Sequence, residues 1–113
     1  MQIKKTYRNV KPELLYDEIK DLALQQGVVG EESKMETYAL PDDSSSFITR
    51  GTLTFRMPDK PGKECLRVHI VGSARSETRV IFDIEEALFP QEKLDAMLND
   101  LGFTFGSYEV KEG

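Results

Sequence analysis

Residues 47–57 read FITRGTLTFRM. Phe47, Thr49, Gly51, Leu53, Phe55 and Met57 fall on one side of an extended chain, and Ile48, Arg50, Thr52, Thr54 and Arg56 on the other. Side chains of a strand alternate between faces with period two, so the stretch is predicted to be a strand with one buried and one solvated face. The solvated face carries two arginines in a chain whose formal net charge is −5. Whether those arginines do anything is the functional question the sequence poses.

The same alternation continues on both sides. CLRVHIVGS (65–73) sets Leu66, Val68 and Ile70 against Cys65, Arg67, His69 and Val71, and TRVIFDIE (78–85) sets Val80, Phe82 and Ile84 against Arg79, Ile81, Asp83 and Glu85. KMETYAL (34–40) reads as a less regular strand, preceded by a loop in GVVGEES and followed by a turn in PDDSSS (41–46). PDKPGKE and ARSE supply the remaining turns. Four successive strands joined this way form an antiparallel meander.

Helices flank the meander. Pro12 suits a first helical position, and Leu15, Ile19, Leu22 and Ala23 then recur at helical spacing up to a stop at Gly27. Pro90 opens a second helix whose Leu94, Met97, Leu98 and Leu101 form an apolar stripe ended by Gly102. QIKKTYR (2–8) reads as a first strand with Ile3 and Tyr7 on one face. FTFGSYEV (103–110) is either a last edge strand or an extended cover. The predicted class is α+β: one curved antiparallel sheet with two helices on one face, in the order β-α-β-β-β-β-α with an optional final β. This element order resembles the TATA-binding-protein-like and helix-grip architectures. The resemblance implies a geometry and no particular function.

Residues 1–113 suffice for one core and not two, so a single domain is expected. With 39% apolar and 31% charged residues the composition is that of a soluble protein. MQIKKTYRNV lacks the apolar run of a signal peptide, and no stretch approaches the ~20 apolar residues of a membrane helix. A lone cysteine permits no internal disulfide. A cytoplasmic protein with no membrane partner is expected.

Few residues offer chemistry. Cys65 and His69 share a predicted strand face but stand roughly 13 Å apart. No further Cys or His completes a zinc set. Asp83 and Glu85 place two carboxylates about 7 Å apart on one face, which is more simply read as solvated charge facing cross-strand arginines. The serines of the 41–46 turn form no nucleophile elbow, and Gly62-Lys63 lacks the rest of a phosphate-binding loop. No catalytic residue, metal or cofactor is assigned, and an enzyme ranks third among the functions considered.

The outward strand residues carry more information. Arg50, Arg56, Arg67, His69 and Arg79, with Lys4 and Arg8, face away from the helices, while most acids lie in helices and loops. The sheet's outer face is expected to be basic and to engage an anionic small molecule or an acidic protein. Its competing explanation is an ordinary solvated face whose arginines pair with Asp83, Glu85 and Glu36. The central strands lack outward aromatics on which bases could stack, which disfavours nucleic acid. A small binding or accessory domain is therefore expected, with a hydrophobic-ligand binder of helix-grip type as the alternative. That alternative needs a cavity where Phe47, Leu53, Phe55, Leu66, Val68, Val80 and Phe82 meet the helices. The same side chains are enough to fill a small solid core.

Overall fold

A computed structural model describes residues 1–40, 43–73 and 77–111, with side chains described for all of these except 40 and 43–46. The order is β1 (Gln2–Tyr7), α1 (Pro12–Gln25), β2 (Val29–Leu40), β3 (Asp43–Arg56), β4 (Glu64–Gly72), β5 (Thr78–Ile84) and α2 (Gln91–Phe105), followed by a short 3₁₀ turn at Gly106–Tyr108. The strands form one five-stranded sheet in the order β1-β5-β4-β3-β2, with every pairing antiparallel. The expected α+β class and meander are both present. β1 closes the far side by pairing with β5, so first and last strands are neighbours.

The alternation read from the sequence sorts the faces. Leu53, Phe55, Leu66, Val68, Ile70, Val80 and Phe82 are buried in one cluster with Leu15, Ile19, Leu22 and Ala23 of α1 and Leu94, Met97 and Leu101 of α2. The start of α1 is seated closely on the sheet. A Cβ on Gly72 would come within 2.9 Å of both Pro12 Cγ and Thr78 Cβ. Thr78 Oγ1 also donates to the Val10 carbonyl at 3.1 Å, tying β5 to the turn before the helix. Where α1 ends, the Lys93 ammonium of α2 donates to the Gln26 carbonyl, placing positive charge at the helix C-terminus.

Several expectations are corrected. β2 begins at Val29, not at residue 34, so most of GVVGEES is strand rather than loop. In the expected 41–46 turn, residues 43–46 belong to β3, while Pro41 and Asp42 lie outside the described residues, as do Ala74, Arg75 and Ser76 of the second turn. Phe47 has the predicted parity but is 52% exposed, because among the described residues β4 pairs with β3 only from Thr49 onward. α2 runs through Gly102 to Phe105. The tail forms no strand: Glu109 makes a single bridge to Tyr7.

Candidate functional site

Two bulges decide what the helix-free face presents. Between Phe55↔Leu66 and Arg56↔Glu64 the β4 register slips by one residue, leaving Cys65 as the extra one. The slip buries Cys65 beside Leu66 instead of turning it to His69's side. It also brings Glu64 onto the face of Arg67, where a three-residue separation would otherwise put them on opposite sides. Arg67 Nη2 meets Glu64 Oε1 at 2.9 Å and its Nε lies 3.1–3.2 Å from both carboxylate oxygens. This fork-like contact holds the Arg67 guanidinium above its ordinary range.

The second bulge lies in β2, between Gly30↔Phe55 and Glu32↔Thr54, with Glu31 as its extra residue. Glu31 Oε1 stands 3.4 Å from Arg56 Nε, and Arg56 Nη1 donates to the carbonyls of Met57 and Pro58 at 3.2 and 3.4 Å. Asp83 accepts from Gln2 Nε2 at 2.9 Å and, although it stands opposite Arg67 in register, makes no ion pair with an arginine among the described residues. At this end of the sheet the basic side chains are already engaged.

The opposite end differs. Arg50 of β3, Val71 of β4 and Arg79 of β5 stand in cross-strand register on the helix-free face. Adjacent strands lie about 4.8 Å apart, so the two arginine Cα atoms flank Val71 at roughly 10 Å. Arg50 and Arg79 are exposed, and neither has an ion pair among the described residues. Glu36 stands opposite Arg50 in register but pairs with Lys34, whose ammonium it holds above its ordinary range. The next row places Lys4, Ile81, His69 and Thr52 across β1, β5, β4 and β3. The structure thus divides the five predicted site residues. Arg50, His69 and Arg79 gather at one end, while Arg56 and Arg67 are occupied at the other. Lys4, Val71 and Ile81 complete the patch, with the two apolar residues forming its floor.

The Tyr16 ring of α1 lies against Gly51 at the middle of β3, and its hydroxyl shares a 2.6 Å hydrogen bond with Ser33 Oγ of β2. A surface cleft of about 360 Å³ lies elsewhere, lined by Lys63, Glu64, Glu85, Ala87 and Leu88. Among the described residues no helix is long and apolar enough to cross a membrane, and no group of His, Cys, Asp and Glu is placed to hold a metal ion. The chain matches no protein-family model, no curated protein and no solved structure.

Proposed function

We propose that this chain is a small non-catalytic binding domain, cytoplasmic in location. It takes a carboxylate or phosphate, on a small molecule or an acidic protein segment, above Val71 between Arg50 and Arg79. The observation that carries the proposal is the cross-strand row Arg50–Val71–Arg79. Two guanidinium groups without ion-pair partners among the described residues stand on either side of an apolar floor, in a chain of net charge −5. Each guanidinium offers planar paired donors that match a carboxylate or phosphate edge. His69 and Lys4, one row away, widen the patch for a ligand larger than one anionic group. The strand order also supports keeping the topological resemblance to TATA-binding-protein-like folds, which bears on geometry alone.

The filled space under α1 is the reason for ranking an internal hydrophobic ligand below the surface anion. Leu15, Ile19, Leu66, Val68, Ile70, Val80, Phe82 and Met97 are each 0% exposed. Calorimetric titration with inorganic phosphate and with a short polyglutamate tests the proposal. Binding is expected to one or both, weakening as salt rises because the contacts are exposed charges. Absence of heat with both probes at low salt, or affinity indifferent to salt, contradicts it.

A further inference from the structure

The sheet's two edges are treated differently. β1's outer edge is covered by the C-terminal segment: Val110 N donates to the Thr6 carbonyl at 2.7 Å and Arg8 N to the Tyr108 carbonyl at 2.9 Å. β2, at the other edge, makes no such backbone contact among the described residues, although it is twelve residues long. A long open edge is a template for another strand. Beyond Thr49 the β2–β3 hairpin also lacks a third strand among the described residues, and a two-stranded ribbon by itself is marginal in water. Tyr38 and Phe47 are exposed on that ribbon.

We propose that the free edge of β2 pairs antiparallel with the same edge of a second copy, about a two-fold axis centred on Met35, giving a continuous ten-stranded sheet. The charge pattern selects this register. A two-fold axis normal to the sheet pairs residues whose numbers have a constant even sum. Centring on Lys34 sets that residue against the partner's Lys34, and Glu32 against the partner's Glu36. Centring on Glu36 sets it against the partner's Glu36. Centring on Ser33 runs the pairing through the Glu31 bulge. Centring on Met35 places Lys34 opposite the partner's Glu36 and Glu36 opposite the partner's Lys34. It uses only the regular stretch Glu32–Tyr38. The Lys34–Glu36 pair within each chain then becomes half of a closed square of alternating charges. Met35 meets the partner's Met35 on the other face, and Tyr38 at the base of each ribbon comes to lie opposite the partner's Glu32.

Sedimentation equilibrium of the full chain tests the pairing, with far-ultraviolet circular dichroism confirming that each variant folds. The wild type is expected to dimerise. Lys34→Glu alone and Glu36→Lys alone each set like charges in opposition at two symmetric places, and should raise the dimer dissociation constant roughly tenfold or more. The double variant Lys34→Glu/Glu36→Lys restores opposite charges and should dimerise like the wild type. Mixing the two single variants should give a heterodimer. A wild type that stays monomeric at every accessible concentration overturns the pairing. So does a double variant that dimerises no better than the singles.

Discussion

The ring of Tyr16 stands where a side chain on Gly51 would have to go: a Cβ there would lie 2.8 Å from Tyr16 Cδ2 and 3.3 Å from Cε2. A glycine in mid-strand normally weakens a sheet by leaving a gap. Here the aromatic ring from α1 fills it, and the Ser33 hydroxyl of β2 holds the ring's far end.

Gly51→Ala is therefore expected to lower stability by about 1–3 kcal/mol, the usual range for overpacking. With Tyr16→Ala already in place, the same change should cost little or stabilise, since alanine then restricts the unfolded chain without a clash. A denaturant-based double-mutant cycle measures the difference. Equal costs in the two backgrounds would show that the ring does not govern the site.

Phe47 and Phe55 share one strand face but not one environment, being 52% and 1% exposed. Phe55→Ala should cost about 3–5 kcal/mol. Phe47→Ala should stay within about 0.5 kcal/mol of the wild type, as surface substitutions do. Thermal unfolding of the two variants side by side settles the contrast. A large loss at Phe47 would mean that another surface covers the ribbon.

That contrast also shows how far the sequence could be read. Period-two alternation determines which face a residue takes, and it assigns Leu66, Val68 and Ile70 of β4 and Val80, Phe82 and Ile84 of β5 to the core where they lie, while Cys65 at the bulge escapes it. It does not say whether a neighbouring element extends far enough to cover that face, which is why Phe47 was expected in the core. Bulges break the parity on which such reading depends. The extra residues Glu31 and Cys65 carried Arg56 and Arg67 into ion pairs that the alternation did not foresee. The pairing with Glu64 across a bulged separation leaves no periodic trace. Of the acids expected to quench the face, Asp83 bonds Gln2, Glu36 pairs with Lys34, and Glu85 makes no ion pair with an arginine among the described residues.

The Tyr7 phenol gives the fold an alkaline limit. Burial, with the Glu109 carboxylate nearby, pushes its ionisation well above the ordinary phenol range. In the unfolded chain it ionises near pH 10, so above that pH the unfolded state sheds the proton first. Stability from this group is complete below about pH 10 and is lost as pH rises toward the folded value, with a slope of up to about 1.4 kcal/mol per pH unit. Tyr7→Phe should flatten the decline between about pH 10 and 12 when denaturant midpoints are compared. An identical decline in both proteins would place the limit at other groups.

Cys65 is buried at the β4 bulge, and burial pushes its thiol up from its ordinary range. Alkylation of the native protein by iodoacetamide should be slow at neutral pH and accelerate on unfolding. Mass spectrometry of timed samples reads this directly. Rapid native labelling would show that the bulge opens readily.

The claim that matters most for function is that Arg50 and Arg79 hold one anion between them while Arg56 and Arg67 do not. Two-dimensional NMR of the arginine Nε–Hε groups, recorded as inorganic phosphate is added at low salt, addresses it residue by residue. The Arg50 and Arg79 signals should move together along one saturation curve, with Arg56 and Arg67 unmoved. Arg79→Ala should abolish the shift at Arg50 as well. Movement of Arg56 and Arg67 in equal measure, or no saturable movement at Arg50 and Arg79, would contradict the proposed site.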